Sequence, residues 1–196
     1  MKHKLLLLVA LFSVYFVNAQ KGKFLIQGSL TFPNFSEIAL KNLDYKIKSA
    51  GKSSQLIVGY FFSDKLTANI SLNTGSASSE AKDVYESGVY QYSYTFDVDV
   101  FSFLAGLDYN YVVSDKWNLS SGLAVGSGMA TVKSTVTPSS FTAPQIQVGG
   151  FAYQVKLIEG RYYFAEKIGF AKKIGVNASL GLGWQGILGI GLTSIF

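Results

Sequence analysis

Five polar residues could form a charged centre in this chain, and two segments supply them: Asp108 from one, and Gln154, Lys156, Glu159 and Arg161 from the other. Gln154 and Lys156 share one parity of an alternating segment, and the opposite parity is apolar from Phe151 to Leu157. A bulge near residues 158–160 would bring Glu159 and Arg161 to the polar side. Two carboxylates, a lysine and an arginine would then form a network of ion pairs. The alternative is that these charges lie at a rim in water, where such pairs contribute little to stability.

The residue inventory excludes most familiar catalytic centres. The sequence contains no cysteine, and its only histidine, His3, lies in an N-terminal segment that we expect to be removed. Without a thiol or an imidazole the mature chain has no disulfide, no zinc site built from histidine and cysteine, and no serine triad. Serine–lysine and paired-carboxylate catalysis remain open on residue types alone. The inventory therefore favours a protein that is not an enzyme and needs no metal or cofactor.

The first 19 residues are typical of a secretory signal peptide. Lys2, His3 and Lys4 form a basic start, Leu5–Val17 is an apolar run, and Val17-Asn18-Ala19 has the pattern of a cleavage site. The alternative is an uncleaved membrane anchor, but the apolar run is short, because a helix needs about 20 apolar residues to span a bilayer. We therefore expect residues 1–19 to be cleaved and residues 20–196 to form one domain. Loss of two lysines lowers the formal charge from +5 to +3, and the dispersed basic residues give no reason to expect nucleic acid as a partner.

A repeated motif recurs every 51 residues, beginning at Tyr60, Tyr111 and Tyr162. Each copy ends an apolar strand, passes through a polar triplet and starts a new apolar segment. The three triplets predict short turns at one end of a sheet. They are Ser63-Asp64-Lys65, Ser114-Asp115-Lys116 and Ala165-Glu166-Lys167.

Period-two alternation between the turns predicts eight strands. It is clearest in Ile174–Trp184, where apolar residues share one face and small or polar residues the other. The other predicted strands are Phe24–Phe32, Gln55–Phe62, Leu66–Asn73, Tyr90–Val113, Trp117–Lys133, Ile146–Phe164 and Leu188–Phe196. A bulge near Val100 would put the aromatic residues of both halves of Tyr90–Val113 outside. The remaining connections are predicted as loops at 33–54, 74–89 and 134–145 and a tight turn at Gln185-Gly186. The predicted fold is all-β, an eight-stranded antiparallel transmembrane up-and-down β-barrel.

Aromatic residues flank the predicted turns. Tyr60, Tyr111, Trp117 and Tyr162 are candidates for a belt at a lipid–water interface, together with Phe61, Tyr109 and Tyr163. The alternative is the ordinary enrichment of aromatic residues in strands. Their recurrence at three equivalent places favours the belt.

These features together resemble the small outer-membrane β-barrel proteins of diderm bacteria, the OmpA/OmpX/OmpW-like group. The segment Gly181–Leu192 is similar to the last hairpin of the porin-family outer membrane beta-barrel domain. The resemblance implies that Leu188, Ile190, Leu192 and Phe196 form the C-terminal signal read by the barrel-insertion machinery. Ile195 departs from the basic or polar residue that many relatives have there. The implied location is the outer membrane, after export.

Three functions are compatible with this interpretation. The first is a structural or surface-interaction role in outer-membrane lipid, with a lumen filled by side chains and an unidentified surface ligand. The second is a narrow channel for small or hydrophobic solutes, as in OmpW-like proteins. The third is a soluble exported ligand-binding barrel of the lipocalin type, which would need an apolar interior and a polar exterior.

Overall fold

The computed structural model describes residues 20–32, 46–49, 53–84, 91–137, 141–142, 144–184 and 186–196. They form ten strands: β1 (Phe24–Phe32), β2 (Lys46–Ser49), β3 (Ser53–Ser63), β4 (Leu66–Val84), β5 (Gln91–Val113), β6 (Trp117–Thr137), β7 (Phe141–Thr142), β8 (Ile146–Ile168), β9 (Ala171–Gly183) and β10 (Leu188–Ile195). Within these ranges no helix has the length and apolar character needed to cross a membrane. The predicted signal peptide lies outside the described residues.

Eight of the strands form a closed ring. Each long strand pairs antiparallel with its neighbours in the order β1, β3, β4, β5, β6, β8, β9, β10. The ring closes where β1 pairs with β10, from Leu25 opposite Ile195 to Phe32 opposite Leu188. The short strands β2 and β7 pair with β4 and β6 beside the ring. The predicted eight-stranded up-and-down barrel is confirmed.

Alternation sorts each strand into an apolar outer face and a largely polar inner face. In β1, Gln27, Ser29 and Thr31 are buried inside, while Ile26, Leu30 and Phe32 are exposed outside. Closed pairing satisfies the backbone hydrogen bonds, so an apolar exterior is compatible with lipid. A soluble ligand-binding barrel of the lipocalin type would need the opposite arrangement.

The β5 register differs from the prediction. Its pairing with β6 is continuous from Ser93 opposite Thr137 to Asn110 opposite Ser120, so there is no bulge near Val100. Asp97 and Asp99 consequently lie on the exposed outer parity, and Phe96 and Val98 take the inner one. The expected bulge assumed that aromatic residues must face outward along the whole strand, but the outer face of β5 becomes polar in its first half.

The β8 strand contains the other expected irregularity. Leu157 and Ile158 are both exposed on the outer surface, and the pairing of β8 shifts there against β6 and β9. One extra residue therefore reverses the parity after Lys156. Glu159 and Arg161 point inward as a result.

One end of the barrel, here called the turn end, holds the three short connections, the start of β1 and the end of β10. In the first two turns a serine hydroxyl accepts a backbone hydrogen bond, Leu66 N donating to Ser63 Oγ and Trp117 N to Ser114 Oγ. The third turn lies at Gly169-Phe170. In the predicted turn Ala165-Glu166-Lys167, Ala165 and Glu166 are instead paired with β9, and Lys167 belongs to β8 with a φ of 56°. Ala165 has no hydroxyl to stabilise a turn, whereas Gly169 adopts the left-handed φ of 58° that the later turn needs.

The opposite, loop end differs more from the sequence prediction. β4 continues to Val84 and β6 to Thr137, through parts of the segments predicted as loops at 74–89 and 134–145. The predicted loop at 33–54 includes β2 and the start of β3, and residues 33–45 lie outside the described ranges. Polar outward residues such as Ser76, Ser78 and Asp97 indicated loop, yet their backbones stay paired between β4 and β5.

Candidate functional site

The four predicted charges meet inside the barrel, each less than 5% exposed. Lys156 Nζ lies 3.0 Å from Asp108 Oδ2 and also pairs with Glu159. Arg161 Nε lies 2.9 Å from Glu159 Oε1, and an Arg161 terminal nitrogen lies 3.6 Å from Asp108 Oδ2. Two cations therefore face two anions, and the formal charge of this group, here called the charged network, is zero.

The strands that position the network are β5 and β8, which lie on either side of β6. Asp108 comes from β5, and the other three residues come from β8 on both sides of the bulge. Arg161 is the only arginine in the sequence, and its Nε also donates to Gln27 Oε1 of β1 at 3.2 Å. Burial makes each charge dependent on its partners, because an unpaired charge in this interior is costly.

Neutral polar pairs line the rest of the interior. Gln154 joins Gln55, whose Nε2 donates to Gln154 Oε1 at 2.9 Å across the lumen. Further buried pairs are Asn73 to Ser102 at 3.0 Å, Asn110 to Thr67 at 2.9 Å, Asn177 to Ser29 at 3.0 Å and Thr31 to Ser53 at 2.8 Å. Gln154 therefore lies in the barrel interior, as do the four charged residues, and it is hydrogen-bonded to the amide of Gln55.

An apolar cluster of four buried residues lies at the turn-end mouth of the barrel: Leu25, Phe61, Tyr163 and Ile195. The cluster shows why Ile195 departs from the polar residue of the resembled family: its side chain is fully buried against three apolar neighbours. Phe61 and Tyr163 were predicted for the interface belt, which is wrong, because odd positions of β3 and of β8 after the bulge face inward.

The loop end of the interior contains an aromatic residue that the sequence placed outside. Trp184 was predicted to continue the outer face of β9, but its ring packs against Leu104, Ala124 and Ala152 inside the barrel. Gly183 has a φ of 124°, so the regular alternation of β9 ends before Trp184 and not at it, as predicted. The ring lies on Gly128, where an added Cβ would be 2.7 Å from Trp184 Cη2.

The aromatic residues predicted for the interface lie on the outer surface near the turn end. The Tyr60 ring is 5.1 Å from that of Phe24 and 5.2 Å from that of Phe62, and the Trp117 and Tyr162 rings are 4.6 Å apart. Tyr111 and Tyr109 are exposed on the same parity of β5. Their role at a lipid boundary stays a prediction.

The C-terminal segment lies next to the first strand. Leu188, Ile190 and Leu192 are exposed on the outer face of β10. Phe196 N donates to Phe24 O at 2.9 Å, and Phe24 N donates back to Phe196 O at 3.3 Å. No contact bears on the predicted recognition by insertion machinery, which stays a prediction.

The turn triplets differ in what their polar atoms do. Asp64 Oδ1 accepts hydrogen bonds from the backbone nitrogens of Gln20 and Lys21. Asp115 lies 3.5 Å from Lys173 Nζ. The side chains of Lys65 and Lys116 are exposed. Their backbone carbonyl oxygens accept hydrogen bonds from the backbone nitrogens of Asn110 and Tyr163, respectively. Glu166 and Lys167, both exposed, belong to the end of β8.

Sequence reasoning did not predict that three side chains make contacts inside the barrel: Gln20, Gln55 and Trp184. Gln20 and Gln55 are buried amides whose partners lie 98 and 99 residues away, so no local pattern marks them. Within the described part of the chain, no group of three or more acidic, histidine or cysteine side chains could bind a metal ion.

No family model and no curated protein matches the sequence. Among solved structures, the chain is similar to the attachment invasion locus protein Ail of Yersinia pestis, at 11% identity and a TM-score of 0.43, covering 90% of this chain and 96% of Ail. Ail in complex with the heparin analogue sucrose octasulfate matches at 12% identity and a TM-score of 0.44, with the same coverage. The N-terminal β-barrel domain of OprF from Pseudomonas aeruginosa matches at 11% identity and a TM-score of 0.44, covering 91% of this chain and 100% of that domain. All three TM-scores are below 0.5, so these likenesses carry no argument about the ligand or the role of this chain.

Proposed function

We propose that this chain is an integral outer-membrane barrel whose lumen is filled by side chains and whose extension at the loop end makes contacts at the cell surface. In this proposal residues 1–19 are removed on export, the barrel-insertion machinery reads β10 with Phe196, and the turn end faces the periplasm. The exposed apolar side chains of the outer wall support placement in lipid, since in water they would be an aggregation liability.

The observation that carries a surface role is the length of three neighbouring strands. β4, β5 and β6 have 19, 23 and 21 residues, whereas a strand crosses the membrane in about 9–11. β1 and β10, with 9 and 8 residues, stop near that length. β8 also has 23 residues, but it begins at Ile146, opposite Val132 of β6, so it does not follow the other three strands to their ends. Three strands of the wall therefore continue past the lipid band as a sheet.

Side-chain polarity places the boundary of this extension. Along β5 the outer face is apolar from Tyr111 to Phe101 and then acidic at Asp99 and Asp97. Asp99 pairs with Ser76 of β4 and with Thr131 of β6, so the same change occurs across three strands. The extension, here called the projecting sheet, comprises Ser76–Val84, Gln91–Asp99 and Thr131–Thr137. A rigid sheet held above a membrane is suited to binding another surface.

Trimming the projecting sheet should abolish surface contacts while leaving the barrel intact. Ala77 and Val98 are paired across β4 and β5, so residues 78–97 can be replaced by an Asn-Gly turn. We expect cells that display the trimmed chain to lose the adherence to a second cell layer that the full chain confers. Equal adherence of the two strains would contradict the surface role.

Display must be matched between those strains. Because the sequence lacks cysteine, a Thr131→Cys substitution offers a single label site at the boundary in both chains. A membrane-impermeant maleimide should label it on intact cells, and an Asp115→Cys control at the turn end should label only after permeabilisation. Labelling of Asp115→Cys on intact cells would contradict the proposed orientation.

The lumen is the second part of the proposal. The charged network, the apolar cluster at one mouth and Trp184 near the other support an interior without a continuous path. We therefore expect the refolded barrel to be silent in planar bilayers, and a combined Phe61→Ala and Trp184→Ala variant to stay silent because the charged network remains. Regular single-channel steps from the unaltered chain would favour the narrow channel instead.

A further inference from the structure

Gln20 occupies the turn-end mouth although it precedes the first strand. Its side chain is fully buried, and its Oε1 accepts a hydrogen bond from Asn118 Nδ2 of β6 at 3.1 Å. A tight turn follows, in which Lys23 N donates to Gln20 O and Gly22 N donates to Phe61 O. Gly22 has a φ of 77°, which the turn requires. These contacts hold Gln20 against the barrel.

The backbone nitrogen of Gln20 faces a carboxylate. It lies 2.9 Å from Asp64 Oδ1, and the nitrogen of Lys21 lies 3.0 Å from the same oxygen. Asp64 is half-buried in the first turn. A half-buried carboxylate that accepts from two successive backbone nitrogens has the chemistry to bind an ammonium group at the first of them.

We propose that the turn-end mouth is a binding site for the α-ammonium group of the processed chain, with Gln20 as its first residue. The inference rests on the expected cleavage after Ala19, which is part of the proposed function. Cleavage changes the nitrogen at Asp64 from a neutral peptide N–H into a charged group with three donors. Charge-assisted hydrogen bonds are roughly twice as strong as neutral ones, so removal of the leader strengthens the closure of the barrel.

The proposal requires one chemical form of the terminus. A terminal glutamine can cyclise: its α-nitrogen bonds to the side-chain Cδ, the bond from Cδ to the amide nitrogen breaks, and ammonia leaves. The product is a neutral lactam without the ammonium charge. In the barrel the α-nitrogen contacts Asp64 and the side-chain oxygen accepts from Asn118; a lactam keeps one N–H and the carbonyl but loses the ammonium charge, so the proposal requires the open form. The mature protein should therefore retain a free amine.

The pH dependence has a sign that identifies the amine. The charged groups around the mouth are Asp64, Lys65, Asp115, Lys116, Lys21, Lys23, Lys172 and Lys173. The proposal requires that the contact with Asp64 hold the pKa of the α-amine above its ordinary value of about 8; its stabilisation is then complete at lower pH and is lost as pH rises through that pKa. Burial, then Lys173 and Lys172, lower the pKa of Lys23. The contribution of Lys23 to the free energy of unfolding has the opposite sign of pH dependence, and it increases as pH rises.

The decisive comparison uses two refolded chains, one beginning at Gln20 and one with two glycines added before it. The readout is the temperature at which the compact band of an unboiled gel is lost. At about pH 6.5 the Gln20 chain should be more stable by about 3–6 °C, and the difference should vanish at about pH 10. Both chains keep Lys23, so only the amine differs.

Asp64→Asn should remove that difference between the two chains, and Asp115→Asn in the neighbouring turn should leave it unchanged. Equal stability of the two chains at the lower pH would overturn the proposal, as would a difference that survives Asp64→Asn. These readouts are differences between matched chains, so a general weakening of the turn does not affect them.

The natural protein provides the second test. Its intact mass, measured after purification from outer membranes, should equal that of residues 20–196 with an open terminal glutamine. A mass lower by one ammonia would overturn the proposal. A different first residue in a protein that still shows the heat-dependent gel shift would also overturn it while leaving the barrel function standing.

Discussion

Replacing Arg161 with leucine should lower the unfolding temperature of the refolded barrel by about 6–20 °C. Arg161 lies between Glu159 and the side chain of Gln27, and its removal leaves two anions facing Lys156 alone. Breaking a buried ion pair costs about 3–5 kcal/mol, and a chain of this size loses about 2–4 °C per kcal/mol. Heating followed by gel electrophoresis without boiling measures the change.

The matched controls separate charge from packing. Arg161→Leu combined with Glu159→Gln removes one charge of each sign and leaves Lys156 paired with Asp108, so most of the stability should return. Lys133→Leu removes an exposed cation at the loop end and should shift the transition by less than about 2 °C. A single Arg161→Leu variant that unfolds like the unaltered barrel would show that the network does not stabilise the fold.

Phe61→Ala should destabilise the barrel by about 3–5 kcal/mol, an expected shift of about 6–20 °C. Phe61 is fully buried in the apolar cluster at the turn-end mouth. Removing its ring leaves a cavity between Leu25 and Ile195, which a closed ring of hydrogen-bonded strands cannot collapse to fill. Thermal unfolding followed by the gel shift again provides the measurement.

The adjacent residue gives the control for this variant. Phe62 has the same side chain on the same strand but is 56% exposed on the outer wall, where lipid replaces the lost contacts. We expect Phe62→Ala to shift the transition by much less than Phe61→Ala. Equal effects would mean that the parity of β3 is not the one described.

Alternation carried the sequence analysis as far as the ring of eight strands, because lipid and lumen impose opposite demands on adjacent residues. Leu157-Ile158 shows how far this reasoning extends: two consecutive apolar residues before a glutamate are best accommodated by a bulge, and the structure has one there. Trp184 shows its limit, because the positive φ of Gly183 turns the chain inward without any change in polarity pattern.

The projecting sheet and the amide pairs could not be predicted in the same way. Toward the loop end the outer face of β4 and β5 is polar, so residues such as Ser76 and Asp97 carry no apolar alternation although their strands stay paired. The Gln55–Gln154 bond joins opposite walls of the interior. Which amides meet depends on the stagger of the closed sheet, and that is a property of the ring as a whole.

The pairing of β1 with β10 has a consequence for synthesis and quality control. β1 finds one partner, β3, early in the chain, but the hydrogen bonds between Phe24 and Phe196 that close its other edge have to wait for β10. A prematurely terminated chain cannot form a smaller barrel; it presents two unpaired edges, which favour aggregation. The barrel can therefore form only when the last strand has been made. A truncated product differs from a finished one by its unpaired strand edges.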